Sequence, residues 1–209
     1  SHQPLHDIYE SVEQLPEIKK VTIGSGVRYD MLSKERNKNG GEDLDRYLKR
    51  LVTKNVSGRL KIAPEHTSDD VLKIMRKPSF DLYDSFKKKF NKISEEAGLN
   101  QQIIPYFISS HPGSKEEDMA KLASDTKSAG LQLEQVQGFT PTPMTNATVM
   151  YYSGVNPYNL KPIYSAKSKQ EKERQHMFFF WYKPEFRNKI KSVLNKLGRQ
   201  DILNNLINK

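Results

Sequence analysis

Short apolar segments and longer amphipathic segments alternate along this chain, and their spacing predicts an α/β fold. Residues 59–64 form a mostly apolar run that is typical of a buried strand. Ser68 follows as a helix N-cap, and Asp69 and Asp70 place acidic side chains in the first helical turn. Strands that alternate with helices of this length form βαβ units with parallel strands. The same patterns predict further strands at 20–25, 103–109 and 131–139, and helices at 4–15, 42–54, 80–97, 115–129, 170–182, 186–197 and 200–207.

The strand at 59–64 carries charged residues on one face, which is unusual for a buried element. Because side chains alternate between the two faces of a strand, Lys61, Ala63 and Glu65 share one face. Burying a lysine and a glutamate is costly unless a partner or a ligand engages them. This face therefore marks the first candidate site.

Four stretches, in the same order along the chain, resemble the radical S-adenosylmethionine (SAM) enzymes. The stretch RLKIAPEHTSDDVLKIMRK at 59–77 resembles the fourth barrel strand of that class and the helix after it. Within the class, the resemblance is to the YgiQ-like family of uncharacterised iron–sulfur oxidoreductases, with the methylthiotransferases as more distant relatives. The other stretches are VTIGSGVRYDML at 21–32, similar to strand three, IIPYFISSHPGSKEED at 103–118, similar to strand five, and LEQVQGFTPTPMTNAT at 133–148, similar to strand six.

This resemblance implies a fold. Residues 1–149 are expected to form the C-terminal half of a TIM-type β/α barrel with about four parallel strands, strands three to six of the family. Residues 150–209 are expected to form a mostly helical extension. The missing N-terminal half of the same protein would then be a partner of this chain.

The resemblance also implies two cofactors, SAM and a 4Fe-4S cluster. The family binds its cluster through three cysteines in a CxxxCxxC loop, whereas this chain has no cysteine. Cluster irons of this class need thiolate ligands. We therefore expect a fragment of a radical SAM enzyme that contributes pocket residues, is inactive alone and binds neither cofactor tightly.

Composition and charge divide the chain near residue 150. The mean hydropathy is −0.76, and no segment is long and apolar enough to predict a transmembrane helix or a membrane partner. Without cysteines for disulfides, a cytoplasmic location is the default expectation. The net charge is +9, and residues 150–209 hold 12 Lys and Arg against 4 Asp and Glu. This excess predicts a separate basic extension.

Polar residues at the predicted strand ends are the candidate site residues, because barrel enzymes carry their chemistry there. Glu65 lies where methylthiotransferase relatives have a glutamine near the ribose and methionine parts of the cofactor. The exit of strand six lies near where relatives hold the adenine. The alternative is that such residues only cap loops. The candidate cofactor-binding residues are Ser25, Arg28, Lys61, Glu65, Ser109, Ser110, Thr140 and Thr142.

Two histidines at these strand ends, His66 and His111, are the candidate catalytic residues. Two imidazoles beside Glu65 are compatible with a metal site or with proton transfer to a substrate. Their spacing is not a local ligand motif. We therefore predict no metal site and keep proton transfer as one alternative.

The C-terminal extension has an alternative function of its own. The aromatic run at 176–182 either packs into a core or offers rings for stacking, and cations follow it directly. Rings beside cations suit single-stranded RNA, so a non-catalytic module that binds RNA or another polyanion is the alternative function. Another interpretation is that the basic region covers the missing half. The cations are Lys183, Arg187, Lys189 and Lys191.

Two further expectations concern the edges of the predicted fold. The strand at 20–25 would leave an open sheet edge if its neighbour is missing. We expect a helix, the N-terminal segment or a second molecule to cover it, which makes an oligomer through this edge an alternative. Residues 140–167 contain four prolines and predict an extended arm.

Overall fold

A computed structural model describes residues 2–32 and 41–207 of the 209-residue chain. Shorter turns of 3₁₀-helix cover Tyr29–Leu32 and Met177–Phe180, and one turn of π-helix covers Leu51–Asn55. The regular elements of the described residues are α1 (Gln3–Glu13), α2 (Gly41–Arg50), β1 (Arg59–Glu65), α3 (Asp69–Ile74), α4 (Asp81–Glu96), β2 (Gln102–Ser109), α5 (Glu116–Ser128), β3 (Gln135–Gly138), α6 (Asn146–Ser153), α7 (Lys169–His176), α8 (Pro184–Lys196) and α9 (Gln200–Ile207).

The strands form one sheet in the order β1-β2-β3, as expected for consecutive βα units. β2 and β3 are parallel, with Tyr106 opposite Gln135 and Ser109 opposite Gly138. This arrangement confirms the predicted α/β class and the parallel pairing. It also brings the carboxyl ends of consecutive strands to the same edge of the sheet.

The two faces of the sheet differ in burial. Along β1, Leu60 and Ile62 are buried while Lys61 is exposed, and the alternation continues along β2, where Phe107 is buried and Tyr106 is not. Because successive side chains point to opposite faces, one face is covered and the other is partly open. The partly open face is the one that the sequence assigned to Lys61 and Glu65.

The predicted strand at 20–25 is wrong, so the described residues contain three strands where the sequence predicted four. Within the segment, the Ile23 N–H donates to the Asn55 carbonyl oxygen over 2.9 Å. Just after it, Val27 forms an isolated parallel bridge with Ile62, and the Val27 N–H donates to the Lys61 carbonyl oxygen over 2.9 Å. Glycines such as Gly24 weaken a strand because they add backbone entropy and no side chain to pack. The segment thus lies beside β1 without extending the sheet.

Three other predicted boundaries differ from the structure. The last strand is four residues long instead of nine, and the helix predicted at 170–182 is α7 followed by the 3₁₀ turn. The predicted extended arm contains α6, because Thr145 caps its N-terminus by accepting the Thr148 N–H, and Gly154 ends it with a φ of 68°. Local capping therefore outweighed the breaking effect of the nearby prolines.

The chain divides into two compact units, of which the first comprises residues 1–63 and 81–105. Its core is built on one stripe of α4, where Tyr83, Phe86 and Phe90 follow one another at intervals of three and four. The ring of Tyr29 packs 5.8 Å from Phe86 and 6.3 Å from Tyr83, measured between ring centroids. Burial of each such ring stabilises the unit by about 2 kcal/mol.

The second unit comprises residues 64–80 and 106–209. Its core joins β2, α5, α8 and α9 to the 3₁₀ turn, whose Phe178 and Phe179 are fully buried. The aromatic run predicted at 176–182 therefore contributes largely to packing. The proposed boundary between 149 and 150 lies inside this unit, and the assignment of two domains there remains a prediction.

Candidate functional site at the strand ends

The carboxyl ends of β1 and β2 share an unusual backbone conformation. Glu65 has a φ of 71° and Ser110 a φ of 61°, although neither is a glycine. A left-handed conformation costs an L-residue about 1–2 kcal/mol. Such residues concentrate at functional sites, where the surrounding structure holds them in place. Both were among the residues that the sequence singled out.

One carboxylate oxygen of Glu65 has no partner among the residues that the structure describes. Lys77 donates from its Nζ to Oε1 of Glu65 over 3.2 Å, and the Glu65 side chain is only 15% exposed. Oε2 is buried and accepts no hydrogen bond from the described residues. An unpaired buried carboxylate oxygen is costly, so this atom is available to a donor from a ligand.

His66 follows Glu65 and is completely buried. Its Nδ1 accepts the backbone N–H of Thr67 over 3.0 Å and that of Ser68 over 2.9 Å. The proton of the neutral ring therefore sits on Nε2, which has no partner among the described residues. Burial, followed by the nearby His111 and Lys121, lowers the pKa of His66 to about 3. The ring is neutral at physiological pH and is a hydrogen-bond donor.

The loop after β1 is tied to α5 through a hydroxyl. Ser68 was predicted as the N-cap of α3, and it has the extended backbone of a cap but makes no side-chain cap bond. Its Oγ donates instead to Oδ1 of Asp118 over 2.8 Å, while Oδ2 of Asp118 accepts the Lys115 N–H over 2.9 Å. The carboxylate of Asp118 thus fixes both this loop and the first turn of α5.

His111 occupies the matching position after β2, but with the opposite tautomer. It is 7% exposed, and its Nδ1 lies 2.9 Å from the carbonyl oxygen of Pro112. A carbonyl only accepts, so Nδ1 carries the proton and Nε2 is an acceptor. The ring stands edge-on to Phe139, with centroids 5.3 Å apart. Burial lowers the pKa of His111, against the opposing effect of the Pro112 carbonyl.

The end of β2 is anchored to α7 by a buried glutamine. Gln175 accepts the backbone N–H of Ser110 at Oε1 over 2.8 Å and donates from Nε2 to the Ser114 carbonyl oxygen over 2.7 Å. The Oγ of Ser109 lies 3.3 Å from Nδ1 of His176. The hydroxyl of Ser110 is buried and has no partner in the described chain. Sequence analysis missed Gln175, because a glutamine in a polar helical segment gives no signal of burial.

A polar pair lies near Glu65 on the partly open face. The Tyr106 hydroxyl donates to Oε1 of Gln137 on the neighbouring strand. Burial raises the pKa of Tyr106, and the negative charge of Glu65 raises it further. The face near Glu65 therefore offers neutral hydrogen-bonding groups. Alternation along the predicted strands was a signal that could have identified both residues.

Thr140 and Thr142, predicted at the exit of strand six, are exposed and take part in the turn before α6. The hydroxyl of Thr142 donates to the Thr140 carbonyl oxygen over 3.4 Å. The Thr142 carbonyl accepts from the hydroxyls of Thr145 and Thr148 over 2.9 and 2.7 Å. These contacts give both threonines a structural function, and their cofactor contact remains a prediction.

Ser25, Arg28 and Lys61 belong to the first unit, and all three are exposed. The Arg28 guanidinium donates twice to the buried carboxylate of Asp30, over 2.7 and 2.6 Å. This hydrogen bond raises the pKa of Arg28, which is already fully protonated. Arg28 was a candidate cofactor-binding residue, and in the structure Asp30 is its partner within the protein.

Two features are absent from the described ranges, 2–32 and 41–207. No group of three or more His, Cys, Asp or Glu side chains there has the arrangement of a metal site. No helix in that part of the chain has the length and apolar character required to cross a bilayer.

Comparison with known proteins identifies relatives over the whole chain. A UPF0313 protein of Bacteroides thetaiotaomicron is 57% identical over 211 residues, which is 100% of this chain and 34% of that protein. A UPF0313 protein of Porphyromonas gingivalis is 54% identical over 209 residues, covering 100% of this chain and 33% of that protein. A third, from Methanocella arvoryzae, is 40% identical over 202 residues, covering 97% and 32%.

Residues 134–207 also match a domain of unknown function, DUF3362, which covers β3 and the helices after it. The chain spans about a third of the length of the curated relatives it matches. Identity of this degree over the whole chain confirms the resemblance to the YgiQ-like family that the four ordered stretches indicated. Over its whole length the chain is similar to UPF0313, or YgiQ-like, proteins.

Proposed function

We propose that this chain is part of a radical SAM enzyme and forms one wall of its cofactor and substrate pocket. The observation that carries the proposal is the buried Oε2 of Glu65, which has no partner at the carboxyl end of a parallel strand. Enzymes built on parallel β/α units place their sites at this end of the sheet. The strands β1, β2 and β3, which lie in the stretches similar to strands four to six, support part of a TIM-type barrel that the rest of the protein would complete.

The polar groups at the strand ends fit a molecule such as SAM. The carboxylate of Glu65, whose Oε2 accepts no hydrogen bond from the described residues, suits the cofactor's ribose hydroxyls or ammonium group. Beside a reduced cluster, bound SAM would supply radical chemistry for the substrate. Residues of this chain would bind and orient the cofactor, while the neutral Nε2–H of His66 is a donor for a polar neighbour.

The chain does not fit the iron–sulfur cluster. It has no cysteine, and clusters of this class are held by thiolates. The ligands would therefore come from another part of the protein. The substrate pocket would be complete only when that part is present.

The test uses the full-length protein, reconstituted anaerobically with iron and sulfide. We expect it to bind SAM and to release 5′-deoxyadenosine after reduction. Glu65→Gln should weaken SAM binding about tenfold, because a charge-assisted hydrogen bond contributes about 1.5–3 kcal/mol. Glu117→Gln is the matched control, since Glu117 is exposed in the first turn of α5 and should leave the affinity unchanged.

Two results would count against this proposal. A full-length protein that holds a cluster but neither binds nor cleaves SAM would exclude the radical SAM function. Equal SAM affinity of the Glu65→Gln variant and the parent would exclude the contact assigned to Glu65.

Binding of RNA or another polyanion by the basic extension is a second candidate function. Its support is the excess of cations in 150–209 and the exposure of Arg187, Lys189 and Lys191. The rings beside them are only partly available. Trp181 and Tyr182 are half-buried, and the Tyr182 hydroxyl donates to the Leu133 carbonyl oxygen over 3.3 Å. Phosphate contacts would therefore supply most of the affinity.

Binding of a tRNA mixture at increasing salt tests this second function. Each phosphate contact adds about 0.7–0.9 to the slope of log affinity against log salt. A variant with alanine at positions 183, 187, 189 and 191 should lose most of the slope and keep its fold. Equal affinity of variant and parent at low salt would exclude RNA binding at this surface.

A further inference from the structure

A cavity of about 770 Å³ lies within the second unit, between the ends of β2 and β3 and the helices α7 and α8. Cavities of roughly 300–1,000 Å³ are the size that hold small organic ligands. We call it the α7–α8 cavity. Its wall includes Ser109, Ser110, His176, Phe186, Lys189 and Lys196.

One stripe of α8 forms a side of this cavity. Phe186, Lys189, Val193 and Lys196 are spaced by three, four and three residues, so they share a face of the helix. Lys191 lies on the same helix but is not part of the wall. The stripe combines apolar groups with two ammonium groups, and therefore suits a ligand with both an apolar and an anionic part.

Cations outnumber anions in the wall. It contains four cationic side chains and one carboxylate, that of Glu173. Arg174 donates to Glu116 over 2.5 Å, and Lys172 donates to the Tyr151 hydroxyl over 3.1 Å. The ammonium groups of Lys189 and Lys196 make no ion pair or hydrogen bond with the described residues. The four cations are Lys172, Arg174, Lys189 and Lys196.

A second, independent feature of the wall also indicates a ligand. Ser110 is 1% exposed and lines the cavity, and its Oγ has no hydrogen-bond partner in the described chain. Its backbone N–H is held by Gln175 and its φ is 61°, so the residue is fixed in a costly conformation. A buried hydroxyl without a hydrogen-bond partner destabilises the fold. A ligand oxygen that accepted its hydrogen bond would remove this cost.

His176 in the same wall does not add to the positive charge at neutral pH. Burial lowers its pKa, and its Nδ1 lies 3.3 Å from the hydroxyl of Ser109. The lysines and the arginine therefore supply the positive charge of the cavity. The imidazole contributes a neutral hydrogen-bonding group.

We infer that the α7–α8 cavity binds a small organic phosphate, with the phosphate at Lys189, Lys196 and the Ser110 hydroxyl, and the organic part against Phe186 and Val193. A phosphate carries close to two negative charges and accepts several hydrogen bonds, which matches two unpaired ammonium groups and a hydroxyl. The apolar stripe favours an ester over inorganic phosphate.

The α7–α8 cavity is separate from the proposed cofactor site, which lies on the partly open face of the sheet. Ser109 shares its strand face with Phe107, the face that packs on the helices, whereas Glu65 and Tyr106 are not part of the cavity wall. A phosphate ester could therefore bind the chain whether or not SAM does. Failure of one proposal would leave the other untouched.

The test is isothermal titration calorimetry of the full chain at low ionic strength. The probes are adenosine 5′-monophosphate and glucose 6-phosphate, with adenosine, glucose and inorganic phosphate as comparisons. We expect at least one ester to bind more tightly than its uncharged parent and than inorganic phosphate. The double variant Lys189→Ala/Lys196→Ala should weaken that binding about tenfold or more, because charge-assisted hydrogen bonds are lost.

Two single variants make the test specific to the cavity. Lys191→Ala removes the same charge from the same helix outside the wall, so the affinity should change by less than about twofold. Ser110→Ala should weaken binding about threefold or more, as expected for one hydrogen bond. Binding of no ester above its parent would overturn the inference. An equal loss in the Lys191 variant and the double variant would also overturn it, since it indicates adsorption to a basic surface.

Discussion

The ends of β1 and β2 share a left-handed backbone conformation but differ in the hydrogen bonds that follow it. At each end a non-glycine residue in the left-handed conformation, Glu65 or Ser110, precedes a buried histidine. The loop after β1 closes around the imidazole of His66, which accepts two backbone N–H groups. After β2, the imidazole of His111 donates to a backbone carbonyl, and Gln175 holds the loop from α7. The two rings therefore leave opposite groups unused, a donor on His66 and an acceptor on His111.

This difference shows how a sheet edge acquires several hydrogen-bonding groups without a charged cluster. The positive φ turns the chain sharply out of the strand, so that the next side chain is buried under the loop. The loop then decides the tautomer, because the nitrogen that meets backbone N–H groups must accept, and the one that meets a carbonyl must donate. Both rings are neutral at pH 7, since burial lowers both pKa values.

The largest expected effect is a loss of folding stability at acidic pH. The pKa of His66 is about 3 in the folded chain against an ordinary value of 6.5. The unfolded chain therefore binds the proton more tightly than the folded chain does. The contribution of the neutral His66 ring to stability is complete above pH 6.5 and is lost as the pH falls toward 3. His66 by itself should lower the free energy of unfolding by up to about 1.4 kcal/mol per pH unit. Urea unfolding between about pH 6.5 and 4.5, where few carboxylates titrate, measures this slope.

Variants that replace one histidine at a time provide the control for the acid effect. In His66→Asn the slope should be much shallower, because asparagine does not titrate, while His111→Asn should keep most of it. If both variants kept the slope of the parent, the acid effect would not come from His66. The two strand ends would then not differ in their pH dependence.

Truncation of the two rings should give unequal losses. His66→Ala removes a fully buried ring and leaves the N–H groups of Thr67 and Ser68 without an acceptor, so it should cost about 3 kcal/mol or more. His111→Ala loses one hydrogen bond and an edge-on contact with Phe139, and should cost about 1–2 kcal/mol. Urea midpoints at a pH above 7 measure both. Equal costs, or a larger cost at His111, would contradict the assigned hydrogen bonds.

The smallest effects are expected from glycine at the left-handed positions. Ser110→Gly relieves the backbone and removes an unpartnered hydroxyl, so it should stabilise the chain by about 0.5 kcal/mol after the entropy of glycine is counted. Glu65→Gly also loses the ion pair with Lys77, and the net change should be close to zero. Ser109→Gly is the control, because Ser109 lies in β2 and glycine there should destabilise by about 1 kcal/mol. Thermal unfolding of the three variants gives the order of their stabilities. A destabilised Ser110→Gly variant would indicate that the left-handed conformation of Ser110 carries no cost.

The sequence by itself determined the α/β class, most of the helices and the central strand. These depend on local patterns: apolar runs, intervals of three and four residues along α4, and an acidic first turn at α5. It also located Glu65, His66, Ser110 and His111 at strand ends, since parallel strands end at one edge of a sheet. The resemblance to the YgiQ-like family followed from four ordered stretches, and the relatives confirm it.

Tertiary structure decided what local patterns do not contain. The segment at 20–25 is apolar enough for a strand, but whether it pairs depends on a neighbour along the sheet, and the structure forms only an isolated bridge just after it, at Val27. Gln175 is polar in a polar helix, yet it is buried because the ends of β2 and α7 meet there. The tautomers of the two histidines, the unpartnered oxygen of Glu65 and the α7–α8 cavity likewise depend on contacts between residues far apart in sequence. Such contacts arise only when the chain has folded, because their energies depend on distance and burial and not on residue type alone.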